Sequence, residues 1–529
     1  MVRQFLLISL IVFALVGCVG YVWPPMLWTL IFLFPLFMLG VLDAIQTRHA
    51  VRRNFPIIGH FRYLFEAIRP EINQYFIESD TDGTPFNREQ RSIVYQRAKL
   101  ALQTLPFGTQ RDVYEPGYEW MNHSLGAKHP TEESARIRIG GDACKRPYEA
   151  SLLNISAMSY GSLSSAAIRA LNGGAKIGGF YHNTGEGGLS RYHLEPGGDV
   201  VWQIGTGYFG CRNHDGTFDP GAFEKRASHD HVKMIEIKLS QGAKPGHGGI
   251  LPAAKITDEI AEIRGVPKGR DVLSPPAHSA FDSPRGLLEF VAKLRDLSGG
   301  KPTGFKLCLG HPAEFLSICL AMRETGIYPD FVTVDGGEGG TGAAPLEFSN
   351  SIGAPLTEGL VFVHNALVGF DFRPRVRVIA SGKVVTAFNL AARLAAGADL
   401  CNSARGFMFS LGCIQARRCN SNHCPVGVAT QKPSLVRGLD VTDKTHRVAN
   451  FHRETMEAFQ ELLGAAGLSH PDELRPLHIY RRVSETRVET YAEIYHYLKP
   501  GDLLAATPPG AHWEKWLALA SPEKFMRIV

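Results

Sequence analysis

The sequence predicts an α/β protein: a (β/α)8 TIM barrel with helical N- and C-terminal appendages and an N-terminal transmembrane hairpin. Three observations predict it. Between residues 148 and 435, short apolar β-rich runs end in glycine-rich turns and alternate with helical stretches, the pattern of βα units on a parallel sheet. From Gln4 to Leu42 no side chain carries a charge. Near the C-terminus Cys413, Cys419 and Cys424 fall within twelve residues, in the run LGCIQARRCNSNHCPVGVATQ.

The uncharged N-terminal run is roughly twice the ~20 residues that span a bilayer. Trp23-Pro24-Pro25 stands at its middle, where paired prolines break a helix and tryptophan favours the membrane interface. Residues 1–43 therefore read as two membrane helices in a hairpin. Arg3 precedes them and Arg48, Arg52, Arg53 and Arg62 follow, so both ends face the cytoplasm and the catalytic domain lies on the cytoplasmic side of the inner (plasma) membrane. A cleaved lipoprotein signal ending at Leu15-Val16-Gly17-Cys18 is the rival reading, and the apolar run continues well past Cys18.

Residues 44–147 form a helical N-terminal cap region, in which Arg88–Leu105 repeats apolar residues at helical spacing. Residues 148–435 carry the barrel. SLLNISAM ends at SYGS, MIEIKL at SQGAKPGHGG and DVL at SPP; GFKLCLG, DFVTVDGG, RVRVIASG and ADLCNSAR complete the series. Seven or eight such units suit a closed barrel, whose functional groups collect at the C-terminal strand ends, where these glycine-rich turns fall. Residues 436–529 read as a charged helical C-terminal appendage.

At 20% charged and 44% hydrophobic residues with 55 glycines, the balance is that of a globular enzyme. A net charge of +5 with no arginine-rich stripe gives no footprint for nucleic acid. Cys18, Cys144, Cys211, Cys308, Cys319 and Cys401 are scattered and read as reduced thiols.

The chemistry lies in three sets of residues. The first is the cysteine loop: three thiolates on one short irregular segment suit a [3Fe–4S] cluster, with Pro425 turning the chain after the third. A closed zinc site wants four ligands, and His423 is the other candidate. The second is the glycine-rich turns at 185–188, 336–342 and 381–383, whose backbone N–H groups can approach phosphate oxygens; a Rossmann fingerprint and a P-loop are both missing. The third is Lys238, Lys244 and Lys306 at strand ends. Lys306 lies inside the apolar run GFKLCL, where a buried ammonium needs a partner.

AMSYGS (157–162), NTGEGG (183–188), EIKLSQGAKPG (236–246), SPP (274–276), GGEGGTGAAP (336–345) and the cysteine loop together resemble the FMN-binding synthase domain of glutamate synthase, over about residues 85–485. The resemblance implies a barrel holding FMN beside a [3Fe–4S] cluster, with Cys413, Cys419 and Cys424 as cluster ligands. It implies cofactor contacts from Ala157, Met158, Ser159, Asn183, Lys238, Lys306, Gly339, Gly340, Thr341 and Gly382. Lys306, Glu186, Lys244 and Arg264 are the implied catalytic set. Of these, Glu186 guides ammonia, and Lys244 and Arg264 hold the carboxylates of 2-oxoglutarate. Ile250 and His247 stand where the family has glutamine and glutamate, Glu338 where it has aspartate, and Ser381-Gly382 where it has Asp-Gly-Gly. The implied reaction is reductive amination of 2-oxoglutarate through 2-iminoglutarate. Ammonia would come from solution or a separate glutaminase subunit, because the chain begins Met-Val-Arg-Gln rather than with a nucleophilic cysteine. Electrons would come from ferredoxin or another donor. Two alternatives stand beside it: a subunit of an N-methylglutamate synthase-like transfer enzyme, and a membrane-bound FMN and iron–sulfur redox relay.

Overall fold

The computed structural model describes residues 1–101, 103–129 and 136–525. Its contacts divide into two units, Met1–Arg88 and Glu89–Val529.

In the first unit, α1 (Val2–Val22) and α2 (Leu30–Ile45) are joined by a 3-10 turn over Pro24–Thr29. The prolines fall where the expected break lies, since neither could continue α1 without losing a backbone hydrogen bond. The two helices touch where glycine permits it: a Cβ on Gly40 would lie 2.2 Å from the Phe5 ring. Phe37 stacks on Phe5 at 5.9 Å and meets Phe13 edge-on. Val2–Val22 and Pro24–Ile45 are both long and apolar enough to cross a membrane, and almost nothing covers them. A short turn, Ala50–Asn54, leads to α3 (Gly59–Ile72).

The second unit opens within α4 (Arg88–Lys99), at Glu89. Its centre is a closed barrel of eight parallel strands: β1 (Leu153–Ile155), β2 (His182–Asn183), β3 (Val200–Ile204), β4 (Val232–Lys238), β5 (Thr303–Leu307), β6 (Phe331–Asp335), β7 (Arg377–Ser381) and β8 (Leu400–Ser403). They pair in chain order, and β8 closes on β1 through Ser403↔Ile155. The crossover helices include α5 (Ser165–Gly178), α6 (Pro220–Ala227), α7 (Asp258–Arg264), α8 (Pro284–Leu297), α9 (Pro312–Thr325), α10 (Leu356–Gly369) and α11 (Ala387–Ala395). Side-chain caps start several of them: Ser164 for α5, Thr257 for α7 and Ser283 for α8 each accept from an N–H of the first turn, satisfying an otherwise orphaned donor.

The barrel interior is polar at its centre. Glu236 on β4 is 1% exposed and accepts from Asn183 Nδ2 (2.8 Å), Gln203 Nε2 (2.6 Å) and Thr333 Oγ1 (2.7 Å). One carboxylate thus ties β2, β3, β4 and β6 together. A buried carboxylate is tolerable only with such donors.

The flanking segments depart from the wholly helical reading. After α12 (Val441–Ala465), which packs on α5 with Val448 against Gly174, comes a hairpin of Ile479–Ser484 and Arg487–Thr490. Glu119–Met121 adds a third strand to it, and Arg136–Ile139 pairs with Tyr148–Ser151. Trp120 stacking on Tyr480 at 5.7 Å joins strands more than 350 residues apart in sequence.

Candidate active site

The functional side chains gather at the C-terminal ends of the strands. Register does part of the work: Lys306 on β5 lies opposite Lys238 on β4 and Thr333 on β6. Alternation along the strands then aims Glu236 and Lys238, and across from them Gly304 and Lys306, at the same interior face.

At the mouth, Lys238 Nζ meets Glu186 Oε1 at 2.7 Å and donates to Gln241 Oε1 at 2.8 Å. Burial opposes the charge on Glu186, but Lys238, Lys244 and Arg264 together hold its pKa below the usual carboxylate value. Glycines make room for it: Cβ atoms on Gly205 and Gly249 would each lie 2.7 Å from Glu186. Lys244 is buried, and among the described residues it has no ion-pair partner within 4.0 Å. Burial, and secondarily the neighbouring Lys238, brings its pKa down to about 8 despite Glu186. Arg264, the last residue of α7, lies over the Phe209 ring at 5.0 Å and donates weakly to Tyr160 O at 3.4 Å. Among the described residues its buried Nε has no hydrogen-bond partner, and burial lowers its pKa to about 10. Three cations therefore surround one carboxylate, and two positive charges are uncompensated within this mouth cluster.

Deeper in the barrel, Lys306 Nζ pairs with Asp335 Oδ2 at 3.3 Å, both nearly inaccessible. Burial works against its charge, and Asp335 followed by Glu236 overcomes that and raises the pKa. Asp335 also accepts from Gly242 N at 2.9 Å. His278 fixes the β4 end: Nε2 donates to Lys238 O (2.9 Å), so Nδ1 accepts from Tyr208 OH (3.0 Å). Burial lowers its pKa to about 4, so it is a neutral strut.

Ala157, Met158 and Ser159 follow β1 directly, and Met158 N donates to Asn183 O at 3.2 Å. Gly185, at φ +65°, comes so close that a Cβ would lie 2.9 Å from Ser159 N. On the far side of the mouth, the loop carrying Gly339, Gly340 and Thr341 follows β6, and Gly382 at φ +152° follows β7. Arg405, just after β8, reaches into this loop, donating to Glu338 O at 2.9 Å, and a Cβ on Gly340 would lie 2.8 Å from its Nε. Burial lowers the pKa of Arg405 to about 10. Burial and then Arg405 lower that of Lys383. Two half-buried cations beside a glycine loop, one of them depressed by the other, fit an anionic group such as a phosphate.

The three cysteines lie together on the loop after β8. Burial, reinforced by Cys419 and Cys424, raises the Cys413 pKa to about 12, and burial with Cys424 raises that of Cys419. Among the described residues no three His, Cys, Asp or Glu side chains are grouped closely enough to hold a single metal ion. His423 bonds instead to Ser421 O and Lys432. The loop is tied to the mouth: Asn422 Nδ2 donates to Ala254 O (2.6 Å), and Gln431 Nε2 to Gly161 O (3.1 Å) and Leu163 O (2.8 Å). Between these ties, buried Lys255 donates to Ser162 O at 2.8 Å. Burial lowers its pKa to about 8, with the Cys419 and Cys424 sulfurs acting in the opposite direction.

Sequence reasoning missed Asp335, Glu236, Arg405 and Lys255. Asp335 ends the run DFVTVD just before a glycine-rich turn, and that position was a usable signal. Arg405 and Lys255 had none, because chain folding alone brings them to the site.

These features define a class: a (β/α)8-barrel protein with a cationic rim and a cysteine loop beside its mouth. A family model described as the conserved region in glutamate synthase matches residues 129–469. The glutamate synthase large subunit-like protein YerD of Bacillus subtilis is 38% identical over 494 residues, covering 86% of this chain and 94% of that protein. The archaeal glutamate synthase [NADPH] of Methanocaldococcus jannaschii is 34% identical over 322 residues, covering 61% of this chain and 60% of the relative. The flavin-binding domain of baker's yeast flavocytochrome b2 aligns at 11% identity with a TM-score of 0.42, covering 83% of this chain and 92% of that one. The chain belongs to the glutamate synthase family, among its glutamate synthase-like oxidoreductases. It spans only about 60% of the length of archaeal relatives such as that of Methanocaldococcus jannaschii.

Proposed function

We propose that this chain is a membrane-anchored enzyme that reductively aminates 2-oxoglutarate, or a close dicarboxylic keto acid, with FMN and a [3Fe–4S] cluster. The observation that carries the reading is the charge of the mouth: Lys238, Lys244 and Arg264 around Glu186. A dicarboxylate dianion balances the two uncompensated charges, and the partnerless Arg264 Nε gains an acceptor.

In this reading Lys244 and Arg264 grip the two carboxylates and fix the keto carbon, the kind of orientation that lowers a bimolecular barrier. Glu186, kept ionised by its cationic neighbours, accepts N–H bonds from incoming ammonia and takes the proton released as nitrogen adds to that carbon. Loss of water leaves 2-iminoglutarate. FMN would supply the hydride that reduces the imine, and the cluster single electrons to restore it. Lys306 and Lys238 present N–H donors to negative charge deep in the barrel. The 336–342 loop, Gly382, Arg405 and Lys383 would hold the phosphate, and Cys413, Cys419 and Cys424 the irons. Ammonia arrives from solution or a glutaminase subunit, and electrons from ferredoxin or another donor. Residues 1–43 anchor the chain with its catalytic unit on the cytoplasmic side.

A second reading, transfer chemistry on an N-methylglutamate-like substrate, draws on Ile250. It stands one residue after Gly249, where the synthase family has glutamine, so a polar group that family uses is replaced by an apolar one. The deciding experiment adds 2-oxoglutarate and ammonium to the anaerobic, photoreduced protein. Flavin reoxidation with glutamate formed supports the synthase; a bound, reducible flavin that is not reoxidised by this pair rejects it.

A further inference from the structure

We propose that α3 is a third membrane element, lying in the plane of an anionic lipid surface beside the hairpin; this rests on the membrane reading of residues 1–43. The helix is amphipathic and its apolar face is bare. Phe61, Leu64, Phe65, Ile68 and Ile72 are 54%, 51%, 59%, 38% and 37% exposed. At 100° per residue they occupy an arc of about 100°. Phe76, in the turn that extends the helix, is 84% exposed. A soluble protein seldom leaves so continuous a stripe uncovered.

Lipid as the covering partner follows from where the helix is pinned. Asp43, in the last turn of α2, takes His60 Nε2 at 2.8 Å and Ile57 N at 3.0 Å. The first turn of α3 is therefore clamped to the end of the apolar hairpin, at the depth where a spanning helix leaves the hydrocarbon. Close packing reinforces the clamp, since a Cβ on Gly59 would lie 2.8 Å from Arg52 Cα. Charge agrees. Arg48, Arg52 and Arg53 fill the connection, and Arg62 and Arg69 flank one edge of the apolar arc, against Glu66 and Glu71. Basic residues beside an apolar arc of low overall hydrophobicity are the recipe for interfacial binding rather than spanning.

The test places a photoreactive p-benzoylphenylalanine in the full-length protein, reconstituted in vesicles of phosphatidylethanolamine and phosphatidylglycerol. Three positions are compared: Phe65 on the apolar arc, Glu66 on the polar side, and Phe32 on α2. Lipid adducts at 32 and 65, lost at 66, are expected. Adducts at 32 with none at 65, equal labelling at 65 and 66, or protein cross-links at 65 overturn the in-plane helix and leave the anchor standing. No lipid adduct at 32 removes the membrane reading and this inference with it.

Discussion

Lys244→Met separates stability from function at the mouth. Lys244 is almost fully buried and lacks an ion-pair partner among the described residues. Its pKa falls from 10.5 to about 8, a depression worth about 3 kcal/mol at ~1.4 kcal/mol per pKa unit. The sign follows from proton counting. Below pH 8 the lysine is charged in both the folded and unfolded chain, and the folded state carries the whole burial cost. Between pH 8 and 10.5 the unfolded chain binds more protons, so stability rises with pH. Above 10.5 neither state is charged and the cost is gone. Methionine has similar volume and no charge, so the variant should unfold roughly 2–5 °C higher at pH 7, with the advantage shrinking between pH 8 and 10.5. In the proposed function the same change removes a charge-assisted contact to a substrate carboxylate, and should weaken 2-oxoglutarate about 10- to 100-fold. Thermal unfolding at pH 7 and 10 and calorimetric titration with 2-oxoglutarate read both effects. In the wild type the dissociation constant should climb above pH 8 as Lys244 loses its proton; in the variant that dependence should flatten. A variant less stable at pH 7, or equally favoured at pH 7 and 10, would refute the reasoning.

Three further outcomes are expected. Glu236→Leu strands the Asn183, Gln203 and Thr333 donors and should cost about 3 kcal/mol or more, read as a lower denaturation midpoint; an unchanged midpoint would show that the barrel does not depend on this carboxylate. Gly242→Ala puts a Cβ 1.6 Å from Gly336 O, so the loops after β4 and β6 must part and the Gly242–Asp335 bond be lost; FMN affinity should drop while far-ultraviolet circular dichroism is unchanged. Cys419→Ser should abolish the cluster's electron paramagnetic resonance signal and lower bound iron; an intact signal removes Cys419 from the ligand set.

Much of this protein is legible along the chain because the relevant information is local. The βα alternation, the helix-breaking Trp23-Pro24-Pro25 and the glycine turns each act over a few residues, and they sufficed for six of the eight barrel strands and the two apolar helices; the DVL run instead pairs with Ile250–Leu251 outside the barrel, and the strands at His182–Asn183 and Val200–Ile204 lay outside the expected series. The basic residues at strand ends were visible for the same reason: a lysine inside GFKLCL has to find a partner. Which partner it finds is a matter of register. Only pairing β4, β5 and β6 sets Lys306 beside Asp335, and only closing the barrel brings Asn183, Gln203 and Thr333 onto one carboxylate. The strand at Glu119–Met121 escaped local reading too, since the partner that satisfies its backbone, Ile479–Ser484, lies hundreds of residues away. The sequence by itself thus determined the fold class, the span-length helices and the types of side chain at the rim. Tertiary structure alone decided which charges cancel and which stay uncompensated, because Coulomb energies in a buried mouth depend on distances of a few ångströms, and those distances are set by barrel closure.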